Sequence, residues 1–315
     1  MHRFDITIAG ELNLDLILYG LPESLPPERE LLATDMAVTL GSSSAIVAHN
    51  LAALGCKVGF TSCVGDDDFG SIAVDRLKAL GVDVSTVTKL RSPSKTGLTV
   101  ILPRSGWRNI LTYSGTISEL KPEHLDFKFL SAARHFHLSS YFLQSGLQPF
   151  IPELLKQLKT SGLTISLDTN DDPADQWQSE IDKVLPLVDV LLPNEREAMK
   201  LTGASNLEQA LSTLTKIVPL VVVKLGSDGA IACRGAERVK APAISTEFVD
   251  PVGAGDSFDA GFLSAFVRGE GLRDCLENGN LAGALSVTRQ GGTEAFRDAA
   301  YRERFFSQHR ANSTR

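Results

Sequence analysis

The stretch most able to do chemistry is Asp250-Pro251-Val252-Gly253-Ala254-Gly255-Asp256-Ser257-Phe258-Asp259-Ala260-Gly261. It follows an extended run over residues 244–249 and opens a predicted helix whose apolar positions include Phe258, Phe262, Ala265 and Phe266. Gly-Ala-Gly at a helix start leaves backbone N–H groups uncovered, an arrangement that suits a phosphate. Asp256 falls in the first turn, beside the positive end of the helix dipole. A carboxylate placed where a phosphoryl group binds can accept a proton from an attacking hydroxyl. A plainer reading has the glycines making a tight turn and Asp256 capping the helix. Pattern alone leaves both open.

The elements that must position these residues are legible in outline. Short β-branched runs alternate with helix-period segments, and strands are expected over residues 4–9, 58–63, 98–102, 135–138, 163–167, 188–192, 220–224 and 230–233. Residues 44–54 place Val47, Leu51 and Leu54 on one helical face and stop at Gly55; residues 71–80 do the same with Ala73, Leu77 and Leu80 and stop at Gly81. Strand–helix–strand order predicts a mostly parallel sheet with helices on both faces. No repeat or linker marks a boundary, so residues 1–315 read as one domain. Residues 14–40 and 91–115 break the alternation with short strands and turns around Pro22, Pro26 and Pro27, and around Pro93, Pro103, Ser105 and Gly106. They are expected to form a small β-sheet lid over a ligand crevice. The polar residues from Gln308 onward are expected to fray.

Composition removes several function classes. With 43% hydrophobic and 22% charged residues in 315, the chain has a globular profile and neither a disordered nor a fibrous one. Lys and Arg number 31 against 38 Asp and Glu, and this net −7 without a basic run argues against nucleic-acid binding. No apolar stretch approaches a bilayer span, so no membrane partner is expected. The opening Met1-His2-Arg3-Phe4-Asp5 lacks the apolar core of a secretory signal. Cys56, Cys63, Cys233 and Cys275 show no metal or redox spacing and read as reduced thiols, so a cytoplasmic location is expected. No Gly-Lys dipeptide, G-x-S-x-G or H-E-x-x-H occurs, which excludes the P-loop, the nucleophile elbow and the zinc pair. His135 and His137, two apart on a strand, read as core or crevice histidines.

Gly-Ala-Gly-Asp-Ser-Phe-Asp-Ala-Gly over residues 253–261 resembles the C-terminal signature of the ribokinase-like (PfkB) carbohydrate kinases. Other motifs agree in chain order. Gly10-Glu11-Leu12-Asn13-Leu14-Asp15 is similar to the family's first-strand motif, and Gly41 with the helix ending Leu54-Gly55 is similar to its first glycine-rich signature. Gly65-Asp66-Asp67-Asp68-Phe69-Gly70, Pro193-Asn194-Glu195-Arg196-Glu197 and Val223-Lys224-Leu225-Gly226-Ser227-Asp228-Gly229 resemble its G-x-D-x-x-G loop, its N-x-x-E motif and its nucleotide-side turn. The resemblance covers roughly residues 4–297. It implies a three-layer α/β/α sandwich with a small β-sheet lid. It also implies ATP-dependent phosphorylation of a hydroxyl, a primary one, on a small carbohydrate. The alternatives are a nucleoside kinase of the same fold and a non-catalytic sugar-binding regulator.

By that resemblance Asp256 is the general base, and Gly253, Ala254 and Gly255 form the anion hole. Asn13, Asp15 and Gly41 lie on the sugar side. Asn194 and Glu197 act near the phosphates, Glu197 holding Mg²⁺ through water; taken alone they read as a helix cap and a solvated first-turn acid. Lys224, Gly226 and Asn280 border the ATP, although Lys224 alone reads as a surface lysine at a strand end. A monovalent cation, potassium, would use Asp250, Val252, Ser286, Arg289 and Gly291, mostly through backbone oxygens, and Ala295 leaves that set one ligand short. The sugar side departs from the family. Ser42, Ser43 and Ser44 stand where a second glycine follows Gly41, and Ile46 stands where an asparagine is common. Ser42 or Ser43 is expected to compensate. The segment His137-Leu138-Ser139-Ser140-Tyr141 lacks the acid some ribose kinases place there. Tyr113, Trp107 and Arg108 either meet substrate or pack the lid, and Ile46 with Trp107, Tyr113 and Tyr141 would enclose the base of a nucleoside. Asp259, one turn beyond Asp256, is expected to be dispensable. Exposed lid edges make a homodimer through the lid the expected assembly.

Overall fold

The structure, a computed structural model, describes residues 2–104, 108–177 and 180–313. β-branched and aromatic side chains fill a central sheet of eight strands. Its order is β14 (Glu237–Ala241), β13 (Ala230–Arg234), β12 (Leu220–Lys224), β11 (Val190–Leu191), β10 (Thr164–Leu167), β9 (Ala133–Leu138), β1 (Phe4–Ala9) and β4 (Val58–Thr61). From β12 to β4 every pairing is parallel, and β13 and β14 add an antiparallel edge. Strands buried on both faces need helices on both sides. On one face α3 (Phe127–Leu130), α4 (Ile151–Thr160), α5 (Ile181–Val184), α6 (Glu195–Thr202) and α7 (Leu207–Leu214) pack against Phe136, Ile165, Leu191 and Val221. On the other, α1 (Ser43–Ala53), α2 (Asp68–Lys78), α8 (Ala254–Val267) and α9 (Leu272–Ser286) pack against Ile6, Ile8, Phe60 and Val222. Short α10 (Glu294–Arg297) and α11 (Ala299–Ser313) add an outer cluster around Phe296 and Phe305. This is the three-layer α/β/α sandwich expected from the sequence.

A second sheet of four strands has the order β3 (Asp35–Leu40), β2 (Leu14–Tyr19), β7 (Leu98–Pro103), β8 (Arg108–Tyr113). Its register puts Asp15, Thr39, Thr99 and Thr112 on one face, with Ile17, Ile101 and Ile110 further along that face. Ile17 and Ile101 close on Val252 of the loop before α8. Three boundary expectations need correction. The run 58–63 splits at Ser62, because β5 (Cys63–Gly65) leaves the main sheet to pair with β6 (Thr88–Leu90). Residues 244–249 join no sheet. Helix α11 runs on to Ser313, past the expected fraying point at Gln308, because Tyr301 and Phe305 anchor it. Strand β14 escaped the sequence reading because Glu237, Arg238 and Lys240 give an edge strand the composition of a loop.

His135 and His137 are fully buried in β9 and form one hydrogen-bonded chain with β10. Thr164 Oγ1, His135, Ser166 Oγ, His137 and Ser139 Oγ follow one another at 2.7 Å steps. Burial lowers the two imidazoles to about 3 and about 4, so both are neutral, and each must donate at one nitrogen and accept at the other. Ser166 Oγ bridges the two rings, bonded to His135 Nε2 on one side and His137 Nδ1 on the other. The chain pins the register of β9 on β10, from whose ends Ser140, Asp168 and Asn170 enter the site. Ser166→Ala strands a nitrogen on each ring and should cost about 1–3 kcal/mol in urea denaturation. A loss below about 0.5 kcal/mol would show that the chain contributes no register energy.

Candidate active site

Parallel strands deliver their C-terminal ends to one edge of the sheet, where α/β proteins bind ligands. Here those ends supply Glu11 and Asn13 after β1, Ser139 and Ser140 after β9, Asp168 and Asn170 after β10, Asn194 after β11, and Lys224 closing β12. Helix α8 points its N-terminus at the same edge. Its cap is Gly253 at φ 71°, and a Cβ there would lie 2.5 Å from Gly292 Cα, so glycine is required on both counts. Gly253, Ala254 and Gly255 thus present backbone at a helix start, and Asp256 follows in the first turn. Asp256 is buried; burial first, then the charge of Asp168, raise its carboxyl to about 6, against the opposing Lys224 charge and hydrogen bonds from Ser43 and Asn170. The helix dipole alone would lower it, so desolvation wins.

Asn13, Asp15 and Gly41 come together. Gly41 N–H donates to Asn13 O at 3.0 Å, and a Cβ at Gly41 would sit 2.1 Å from Asp15 Oδ1 and 2.6 Å from Asn13 Nδ2. Burial, then the charges of Asp256 and Asp250, raise Asp15 to about 7, while Arg108 on β8 opposes them. Asp15 and Asp256 therefore lie close enough for their charges to act on each other, with Arg108 also in range of Asp15. The serines act on the chain instead of facing open space. Ser42 adopts φ 64° and donates from Oγ to Glu11 O at 2.9 Å while accepting from Ala45 N–H, so its hydroxyl is committed to the turn. Ser43 Oγ accepts from Asn170 Nδ2 at 2.9 Å and reaches Asp256. Ser44 donates to buried Glu11 from both N–H and Oγ. Of the two serines expected to compensate on the sugar side, Ser42 thus has its proton and one lone pair engaged by the turn.

Other expected residues are displaced by strand alternation and packing. Tyr113 pairs with Leu98, on the face of the small sheet opposite Asp15. Tyr141 is fully buried against Phe142 in the core. Ile46 packs against Gly253 and Gly292, where those two glycines meet. Trp107 lies outside the described residues. The aromatic enclosure expected for a nucleoside base is not assembled from Tyr113 and Tyr141.

On the nucleotide side, Asn194 and Glu197 form the capping box of α6: Asn194 Oδ1 accepts from Glu197 N–H and Glu197 Oε2 from Asn194 N–H, both at 2.9 Å. Glu197 is buried, not solvated as its position alone suggested, and burial followed by the Asp168 charge raises it to about 7. Lys224, read from the sequence as a surface residue at the groove, points inward instead. Its ammonium lies 2.6 Å from Asp168 Oδ2 and 3.2 Å from Asp259 Oδ1. Asp259 is therefore part of the site's floor and not remote. Gly226 turns the chain after β12 at φ 58°. Asn280 donates to Ala241 O and Pro242 O, fixing the segment after β14 to α9.

Around the loop before α8, Asp250 Oδ1 accepts from Val252 N–H, and Oδ2 accepts from Gly291 N–H and Tyr19 Oη–H, each at 2.9 Å. Val252 packs under the small sheet. Arg289 turns its guanidinium to Asp298, leaving only its backbone near the loop. The Ser286 hydroxyl is buried with no partner among the described residues. Sequence reasoning missed Asp168, Asn170, Tyr19 and Asn50. Asp168 carried a usable signal, an acidic residue directly after a predicted parallel strand. Asn50 did not: it is buried in α1, where Nδ2 donates to Ser257 Oγ and Gly292 O at 3.0 Å, and only the fold reveals those partners.

A family model described as pfkB family carbohydrate kinase matches residues 3–299. The Ribokinase of Haemophilus influenzae is 28% identical over 297 residues, covering 92% of this chain and 94% of that one. The Cytidine kinase of Thermococcus kodakarensis is 28% identical over 304 residues, covering 91% and 97%. An E. coli protein described as a Ribokinase II, solved in complex with ATP and Mg²⁺, is 26% identical with a TM-score of 0.84, covering 97% of this chain and 99% of that one.

The crowding of carboxylates at this edge sets a direct expectation. Carbon-13 titration of the labelled aspartates should place Asp256 near 6 and Asp15 near 7 in the free protein. Values for both at or below about 4, the ordinary carboxylate range, would contradict the buried arrangement.

Proposed function

The chain belongs to the pfkB family of carbohydrate kinases and is a phosphotransferase with an alcohol group as acceptor; from that premise we propose that it moves the γ-phosphoryl group of ATP to a primary hydroxyl of a small carbohydrate, with Asp256 as general base. The observation that carries this reading is the buried Asp256 carboxylate, immediately after Gly253-Ala254-Gly255 at the start of α8 and within range of the Asp15 charge. Asn13 and Asp15 hold the acceptor. Its hydroxyl oxygen attacks the γ-phosphorus while its proton passes to Asp256, and the phosphorus–oxygen bond to ADP breaks. An alcohol is a far weaker acid than a carboxylic acid, so proton transfer accompanies bond formation in a loose transition state. The N–H groups of residues 253–255 meet the charge on the transferred group. With a carboxyl near 6, Asp256 is mostly ionised at pH 7 yet more basic than an ordinary aspartate.

Asn194, Gly226 and Asn280 border ATP in this reading. Mg²⁺ suits the all-oxygen donors near Glu197, whose carboxylate is engaged by Asn194, so the ion would be held through water. Bound there, Mg²⁺ offsets the phosphate charge. The set implied for potassium fits less well. Both Asp250 oxygens already accept protein hydrogen bonds and Ala295 supplies no hydroxyl, so no step is routed through a monovalent cation.

A nucleoside acceptor is the second reading, supported by the likeness to the Cytidine kinase. The positions of Tyr113 and Tyr141 weigh toward a carbohydrate. A non-catalytic regulator would need neither Asp256 nor the glycines beside it. We further infer that two copies associate through the small sheet. Its face away from Asp15 exposes Met36, Leu111 and Tyr113, and β3 and β8 are open edges. Sedimentation should show a dimer that Leu111→Asp dissociates; a monomeric parent protein would refute the association.

ADP release with a panel of sugars and nucleosides tests the function. Asp256→Asn should lower kcat by about 10²–10⁴-fold with little change in KM for ATP, because the backbone amides remain. Near-normal turnover would make Asp256 a helix cap and no base. Ribose should fall below the best acceptor in kcat/KM, since Ile46, standing in place of a polar group, forgoes a contact worth about 1–3 kcal/mol. Ribose as the best acceptor would refute that specificity.

A further inference from the structure

Lys224 is buried where a lysine is expensive. Its side chain is 12% exposed, against 2% for Asp168 and 0% for Asp259, and its ammonium lies between them. A Cβ at Gly255 would be 3.6 Å from Nζ, so the ammonium lies directly beneath the glycines that open α8. A buried ion pair gains little stability over well-packed apolar residues of similar volume. Asp256 is the neighbour with something to gain. It is faced by Asp168 at the end of β10, by Lys224 at the end of β12, by Asp15 on β2 and by Asp259 on its own helix, with Ser43 and Asn170 as neutral partners. Lys224 is the cation that acts on Asp256, while Arg108 of β8 acts on Asp15.

We propose that Lys224 is a positioning residue for phosphoryl transfer, its ammonium balancing the Asp168–Asp259 pair beneath the anion hole so that Asp256 remains available as proton acceptor. This rests on the assignment of Asp256 as base. The charge states agree with the geometry. Burial opposes the charged form of Lys224, but Asp168, Asp259 and Glu197 outweigh it and hold the ammonium protonated. Burial would raise Asp168, yet the ammonium keeps it low and ionised, while burial and the Asp168 charge push Asp259 well up. One ammonium therefore lies under Asp256 between two carboxyl groups, Asp168 held low and Asp259 pushed well up. Removing the ammonium leaves the negative charge alone there and makes Asp256 harder to ionise.

The test is the pH dependence of kcat for Lys224→Gln, for the pair Lys224→Gln/Asp168→Asn, and for Asp256→Asn as reference, on whichever acceptor the panel identifies. The acidic limb should rise by about one to two pH units in Lys224→Gln, with most of the lost activity regained by pH 9. It should return toward the parent position in the pair, which removes one charge of each sign. If Lys224→Gln alone fails to fold, the pair should fold, because the defect is one of charge balance. An unmoved limb in Lys224→Gln, or a pair no better folded and no more active than that single variant, overturns the proposal. Near-normal activity in Asp256→Asn would instead overturn the assignment of the base, so the two failures are distinguishable.

Discussion

Carboxylates cannot be crowded into a dry site without compensation, and the site depends on how that is met. Asp15, Asp168, Asp256, Asp259 and Glu197 converge on one edge of a parallel sheet, each buried. The fold answers with a buried ammonium at Lys224 and hydrogen bonds from Ser43 and Asn170 to Asp256, and the carboxyl groups these do not fully offset are raised. The result is graded: Asp168 is held low, Asp256 and Asp15 lie at about 6 and about 7, and Asp259 is pushed well up. Groups whose environments push their ionisation apart are suited to divide acid and base roles.

Catalytic geometry of this kind also has to be held from several sides. The loop before α8 is clamped by Asp250, which links Val252, Gly291 and Tyr19. Helix α1 packs Ile46 against both Gly253 and Gly292 and ties Asn50 to Ser257 and the Gly292 carbonyl. From above, Ile17 and Ile101 of the small sheet rest on Val252. The sheet that carries Asp15 is thereby in contact with the loop that leads into Gly253-Ala254-Gly255. A movement of one is felt by the other.

Much of this was legible in the chain because local rules decide it. Gly-Ala-Gly-Asp after an extended run marks a helix start whatever surrounds it, and the alternation of strands and helices fixes the layered architecture. Residues whose roles are set by pairing across the sequence were not legible. Lys224 reads as a surface lysine because nothing local shows Asp168 and Asp259, 56 and 35 residues away, arriving at its ammonium. Tyr113 and Thr112 are adjacent in sequence, yet the register of β8 on β7 sends them to opposite faces. Ser42 stands in place of a glycine and takes the left-handed conformation itself, using its hydroxyl to hold the turn.

The central claim is that Asp256 takes the acceptor's proton. A crystal structure with the acceptor and a non-hydrolysable ATP analogue tests it most directly. The account predicts the acceptor hydroxyl within about 2.6–3.2 Å of an Asp256 carboxylate oxygen, with the terminal phosphate over the N–H groups of residues 253–255. A hydroxyl held by another carboxylate, with Asp256 bonded only to protein, would contradict it.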